Sequence, residues 1–469
     1  MAAGGTATEA RRPKAALFLL CCLAAGILPH RLAGLASLVP SILLTLVLGG
    51  YGLRTVFLAP RRNPVPEPAS AADAALALEL ASAPGADPPA PPAVDLVVAA
   101  RDEEAVIGRL VERLAQVRYP AGRLQIWVVD DGSEDRTPER LADLQLRYPQ
   151  LQVLRRGREA GGGKSGALNA VLPRLQGRWL MVLDADAELQ PEALERLVPY
   201  AEAGGWGAVQ LRKAVVNAER NLLTRAQAME MALDALIQQG RLAAGGVVEL
   251  RGNGQLLRRD LVLACGGFNE ATVTDDLDLS FRLLLDRTPV GVVWDPPVQE
   301  EAVTSLAALW RQRQRWAEGG LQRFFDYWPG LSGDRLSAGR KLDLACFFLL
   351  QYTLPMLAVT DLIGAALTGT APAIWPLSIV AFALSGGGIL QGCRRPSEGP
   401  ALPSMGPVNL ALGIVYLGHW FVVIPWTTLR MALLPKRLVW AKTLHVGDQD
   451  DEGPAGTEAE EGDLRSQAS

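Results

Sequence analysis

At 469 residues, 49 % hydrophobic and 20 % charged, the chain has room for two or three units and mixes soluble with membrane-like texture. A net charge of −4 without any long Lys/Arg face excludes nucleic acid as a partner. Five cysteines (Cys21, Cys22, Cys265, Cys346, Cys393) with no CxxC argue against a disulfide scaffold or a zinc site, and suit a reducing, cytoplasmic compartment.

Residues 15–29 are apolar but short for a bilayer span, whereas 32–58 can cross with tilt. Arg11, Arg12 and Lys14 precede the pair and Arg61 and Arg62 follow it, so 1–60 reads as a membrane hairpin with both ends cytoplasmic. A cleaved signal peptide over 11–29 is the competing reading. The Pro- and Ala-rich stretch 61–93 has the composition of a linker. From 94 the pattern changes to strands (94–100, 124–130, 151–156, 178–184) alternating with helices (102–117, one opening near Thr137, and 164–175). That alternation predicts an α/β unit over 94–330 with a parallel sheet, whose ligands bind beyond the carboxyl ends of the strands. Apolar segments return at 342–368, 373–391 and 406–434, within a region of interfacial and transmembrane helices over 331–445. Arg394 and Arg395 mark one loop as cytoplasmic, yet Arg430, Lys436, Arg437 and Lys442 ask for the same side after the next segment. Residues 406–434 are therefore expected to be re-entrant, interfacial or split at Pro425, and 446–469 to be an acidic, disordered tail.

Polar residues cluster at the predicted strand ends. VVDDGSEDRT (128–137) ends a strand in two aspartates, one of which can accept from the imide N–H of a uracil ring; Ser133 or Asp135 can equally cap the next helix. GGGKSGALN (161–169) offers a glycine run, a helix N-terminus and Lys164 for an anion, but Arg158 stands where a Walker A loop needs glycine. In MVLDADAEL (181–189) the carboxylates of Asp184 and Asp186 can hold Mg²⁺ or Mn²⁺ on diphosphate oxygens, against a plain acidic turn. VTDDLDLSFRLL (273–284) puts acids at a helix start, where they can serve as general base or merely pair with the helix dipole. RGNGQLLRR (251–259) can line an acceptor pocket. In ALWRQRQRWAEGG (308–320), Gln312, Arg315 and Trp316 share one helical face, while Arg311 and Arg313 suit anionic headgroups.

The ordered set DDGS (130–133), GKSGALN (163–169), DAD (184–186), TDD (274–276) and QRQRW (312–316) resembles the family 2 inverting glycosyltransferases with a GT-A fold. The resemblance spans about 94–325 and implies a Rossmann-like nucleotide-sugar domain flanked by transmembrane helices. It implies Asp131 at uracil, Lys164 and Asp184 at the diphosphate, Asp184 and Asp186 at the metal, and Asp276 as catalytic base. It also implies that Gln312, Arg315 and Trp316 gate the acceptor and the diphosphate. The usual Thr-Glu-Asp is Thr-Asp-Asp here, which keeps the base in place. Within the family, RWAEGGLQRFFDYW (315–328) and the layout are similar to the cyanobacterial β-monoglucosyldiacylglycerol synthases, which move glucose from UDP-glucose to diacylglycerol. The expectation is thus a multi-pass membrane glycosyltransferase with its catalytic domain in the cytoplasm, a UDP-sugar donor and diacylglycerol or another membrane acceptor. A processive polysaccharide synthase and a non-catalytic membrane scaffold are the alternatives.

Overall fold

The computed structural model describes residues 4–32, 34–59 and 90–434. The expected linker, apart from 90–93, and the expected acidic tail at 446–469 lie outside the described residues.

A mixed eight-stranded sheet runs in the order β3-β2-β1-β4-β7-β6-β8-β5. Its strands are β1 Val94–Ala100, β2 Leu124–Asp131, β3 Leu151–Arg156, β4 Trp179–Leu183, β5 Glu188–Leu189, β6 Ala208–Val215, β7 Gln255–Arg258 and β8 Val290–Glu300. β1 is buried at every position, as an apolar strand flanked on both edges and covered on both faces must be. Its one acid, Asp95, is tolerated because it accepts from the backbone N–H groups of Gln176 (2.9 Å) and Gly177 (2.7 Å). Apolar side chains of the helices Ile107–Ala115 and Ala193–Ala203 pack on one face of the sheet, and those of Gly163–Val171 and Asp275–Leu285 on the other.

Strands β3, β2, β1 and β4 are parallel, as the alternating pattern predicts. Beyond β4 the wholly parallel expectation fails: β7 lies antiparallel between β4 and β6, and β5 lies antiparallel to β8. Residues 244–254 carry the chain back to the edge where β4 ends, so β7 starts where β4 finishes and runs antiparallel to it. That reversal delivers Gly252 and Asn253 to the same edge as Asp184.

Among the described residues, five helical stretches are long and apolar enough to cross a membrane: Arg11–Arg31, Ala36–Leu58, Ala338–Thr368, Trp375–Cys393 and Pro407–Leu433. In the first, Gly4–Ile27 lies against Leu354–Thr368 and Trp420–Leu433. The partner of Val39–Leu53 is Trp375–Cys393, so the N-terminal pair embraces the C-terminal helices. Small residues let backbones approach: a Cβ on Gly26 would overlap the Thr360 side chain, and one on Gly388 would sit 2.5 Å from Leu233. The break in the last stretch falls at Gly418–His419, between Pro407–Leu417 and Trp420–Leu433, while Pro425 stays inside a helix.

The helix Leu222–Ala243 joins the two halves, packing on β6 and β8 and also on Trp375–Cys393. At its end Arg241 is fully buried and donates to Asp343 (Nη2 to Oδ2, 2.7 Å), which also accepts from Tyr51 Oη (2.9 Å) and Val247 N (2.9 Å). Asp343→Ala strands Arg241 without its carboxylate, so it should cost about 3–5 kcal/mol. Thermal unfolding of the detergent-solubilised protein should show a clearly lowered midpoint, whereas an exposed control such as Asp334→Ala should not move it.

Candidate active site

The functional side chains sit where strands end or helices begin. β2 closes on Asp130 and Asp131, and Gly132 turns the chain with φ of 74°. Asp130 stabilises that turn by accepting from Ser133 N (2.9 Å), leaving Asp131 to meet Arg156 (2.7 Å). Ser133 does not cap the next helix; its hydroxyl accepts from Asp102 N (2.9 Å), and Asp135 accepts from Thr137 N (2.9 Å). Asp131 therefore lies on the shared edge, buried and matched to a guanidinium, and burial raises its pKa against the pull of Arg156 and Arg101.

Lys164 opens the helix Gly163–Val171 and reaches Asp184 Oδ1 at 2.5 Å. Asp184 follows β4, and its backbone N–H donates to Asn253 Oδ1 (3.2 Å). Burial opposes both charges, yet each rescues the other: Asp184 is held down at about 2 by Lys164 and Lys213, and Lys164 is raised by Asp184 and Asp275. Arg315 adds to the lowering of Asp184. Asp186, two residues on, accepts from Glu301 N (2.8 Å), fixing it beside the end of β8.

The acids at 275, 276 and 278 separate into different duties. Asp278 is committed to structure, accepting from Asn269 (2.8 Å), Tyr327 (2.8 Å) and Arg282 (2.7 Å). Asp275 and Asp276 face a cavity of about 440 Å³. Gly252, with φ of 86°, brings backbone against the Asp276 carboxylate; a Cβ there would lie 3.3 Å from it. Burial first, then the charge of Asp275, raises Asp276 to about 6.

The cavity gathers Lys164, Asp184, Asp186, Asp276, Gln312, Arg315 and Trp316 on one wall system; Asp131 stands outside it, farther along the same edge. Gln312 accepts from Arg313 (2.7 Å), whose guanidinium lies 4.0 Å from the Trp316 ring. The expectation that Arg313 faces headgroups is corrected here: it is buried, pairing with Glu230 (2.5 Å) and Tyr416 (3.0 Å), and only Arg311 of that pair is exposed. Its alternation with Arg311 misled, because on a helix those two lie on opposite faces.

One residue escaped the sequence reading. Lys213, in β6, bonds Glu300 (3.0 Å), lies 5.7 Å from the Trp316 ring and is raised by Glu300 and then Asp184 in spite of burial. Its only signal was a lysine in a buried strand that also carries Gln210 and Arg212. Among the described residues no three acids, histidines or cysteines form a metal cage. The pair Asp184 and Asp186 still fits Mg²⁺ or Mn²⁺, which takes one or two carboxylates and completes its shell with phosphate oxygens and water. The Lys164 ammonium on Asp184 marks that carboxylate as a cation's partner.

The cavity does not end at these acids. It continues between the apolar helices, past Tyr352 and Leu350 to Phe382, Leu384 and Phe421.

Residues 91–319 match the family described as glycosyltransferase like family 2. The beta-monoglucosyldiacylglycerol synthase of Synechocystis sp. is 49 % identical over 365 residues, covering 77 % of this chain and 76 % of that one. The synthase of the same name from Trichormus variabilis is 42 % identical over 443 residues, 94 % of this chain and 90 % of its own. A mannosyltransferase from Pyrobaculum calidifontis, solved with GDP-Man and Mn²⁺, superposes with a TM-score of 0.53 at 18 % identity, covering 88 % of this chain and 99 % of its own, which is a likeness of fold.

A carboxylate with a pKa of about 6 takes up a proton only from its ionised form, which disappears below that pH. If Asp276 is the proton acceptor, kcat/KM should fall about tenfold per pH unit below 6 and level off above 7. A pH–rate profile checks this, and a flat acid limb would contradict it.

Proposed function

The chain belongs to glycosyltransferase family 2, and from that premise we propose that it transfers glucose from UDP-glucose to the 3-hydroxyl of diacylglycerol, yielding β-monoglucosyldiacylglycerol. The observation that carries the acceptor half is the continuous cavity, with acids at one end and aliphatic and aromatic side chains from the membrane helices at the other. A two-tailed neutral lipid suits such a space: its hydroxyl can stand at Asp276 while its chains stay in apolar surroundings.

In this reading the uracil hydrogen-bonds Asp131, and Lys164, Arg315 and Lys213 hold the diphosphate. Asp276 accepts the hydroxyl proton as the acceptor oxygen attacks the anomeric carbon from the face opposite UDP. The glycosidic oxygen–carbon bond to UDP breaks as the new bond forms, so an α-linked donor gives a β-linked product. The negative charge left on UDP is met by the three cations already fixed in the site. A divalent ion on Asp184 and Asp186 would supply further charge stabilisation at the diphosphate. Gln312 and Trp316 form the wall that confines the sugar beside Asp276.

The same reading implies an orientation in the membrane. Tyr416 and Trp420 bond Glu230, Arg12 donates to the carbonyls of Ala432 and Leu433, and Arg430 pairs with Glu318. Pro407–Leu417 also packs on Leu222–Ala243, so both halves of 407–433 contact the catalytic side, while Phe421 stacks on Phe382 near the middle of Trp375–Cys393. The segment is re-entrant, four helices cross, and the basic residues Arg11, Arg12, Arg394, Arg395 and Arg430 share the cytoplasmic side with the catalytic domain. The loop after Trp375–Cys393 supports this, because Glu398 binds Arg196 and Arg395 binds Gln239.

Two measurements test these statements. The purified protein, given labelled UDP-glucose and diacylglycerol, should form a chloroform-soluble single-sugar product, and Asp276→Asn should lower kcat by about a thousandfold or more with little change in UDP affinity. A high-mass polymer, or a fully active variant, would overturn the reading. Separately, a single cysteine placed after residue 434 in a cysteine-free background should react with impermeant reagent only from the cytoplasmic face; labelling from outside would restore a fifth crossing.

A further inference from the structure

Between the acids and the apolar end, the cavity passes a belt of buried ionic side chains that the transfer itself does not use. Arg323, on the helix Leu306–Ser332, is 3 % exposed and lines this neck. Its Nη2 lies 3.1 Å from Glu249 and 3.5 Å from Tyr352 Oη, while Phe281 and Phe324 flank the guanidinium at 5.2 Å. The N–H groups on Nε and Nη1 have no acceptor among the described residues. A buried guanidinium left with unmatched donors is costly unless something that enters the cavity accepts from it.

The surroundings narrow what that something is. Arg323, Arg251 and Arg241 are offset by Glu249, Asp234 and Asp343, three cations against three carboxylates, through the pairs Arg251–Asp234 (2.9 Å), Arg251–Glu249 (3.0 Å) and Arg241–Asp343 (2.7 Å). With no surplus positive charge, the neck favours an uncharged acceptor oxygen over a phosphate. Its position is also informative. Thr274, next to the two acids, packs on Gly319, one helical turn before Arg323, and Gly252 against Asp276 adjoins Arg251. An oxygen held by Arg323 would therefore belong to the part of the lipid just behind the reacting hydroxyl.

We propose that Arg323 binds an ester carbonyl of the acceptor lipid, making the neck a subsite that recognises the diester glycerol backbone. This rests on the reading of the acceptor as diacylglycerol. The site then selects acceptors by the carbonyl beside the hydroxyl as well as by apolar bulk, and the unmatched donors are satisfied only when substrate is in place.

The test compares 1,2-diacylglycerol with the 1,2-dialkylglycerol of equal chain length, which keeps the hydroxyl and the tails but lacks both carbonyls. In the wild-type protein the ether should be used with kcat/KM lower by about tenfold or more. In Arg323→Gln and Arg323→Lys the diester should lose that advantage, bringing the two acceptors to within about threefold of each other. The ratio is internal to each protein, so a general loss of stability does not move it. Equal use of ester and ether by the wild type overturns the subsite even if neither variant folds, and so does a variant that keeps the full ester preference. Failure of the wild type to glucosylate either lipid would instead overturn the acceptor assignment itself.

Discussion

The buried pairing of Arg241 with Asp343 is the constraint on which the remaining architecture depends, because it fixes the catalytic sheet over the gap between membrane helices. Arg241 ends the helix that packs on β6 and β8; Asp343 starts a span, and Tyr51 brings a second span to the same carboxylate. Two charges so far from water need geometry this tight, and the backbone N–H of Val247 completes it. With that joint in place, one cavity can begin at the strand ends and finish among aliphatic side chains.

Electrostatics at the upper end follow from the same exclusion of water. Asp184 and Asp276 face one space, yet their environments drive them apart: Lys164 and Lys213 keep Asp184 ionised, whereas burial and Asp275 raise Asp276. One carboxylate thereby becomes a permanent anion and the other a group able to exchange a proton near neutrality. A glycosyltransferase that deprotonates an alcohol beside a charged diphosphate needs both behaviours within one site.

Much of this was legible from residue order. VDLVVAA and RWLMVLD are short apolar runs rich in β-formers, both form buried strands, and each leads into the polar loops that carry chemistry. Asp184, Asp186, Asp276, Gln312, Arg315 and Trp316 were identifiable as a set, and the cavity lines up all six with Lys164. What stayed hidden was fixed by tertiary pairing. Asp278 looked equivalent to its neighbours until Asn269, Tyr327 and Arg282 engaged it. Arg313 looked like an exposed cation, but Glu230 lies 83 positions away in sequence and neutralises it. The reversed β7 and the break at Gly418 were illegible for a similar reason: neither is encoded by local periodicity, and both depend on what the segment packs against.

The joining of the acid-lined and apolar halves into one lipid path is the central claim, and photolabelling addresses it without relying on turnover. Diacylglycerol carrying a diazirine on an acyl chain should, after irradiation in bilayers, label peptides holding the cavity-wall residues Phe382 and Phe421, and excess unlabelled diacylglycerol should compete this away. Label confined to outward-facing positions such as Leu46 and Val47, insensitive to competition, would contradict the account.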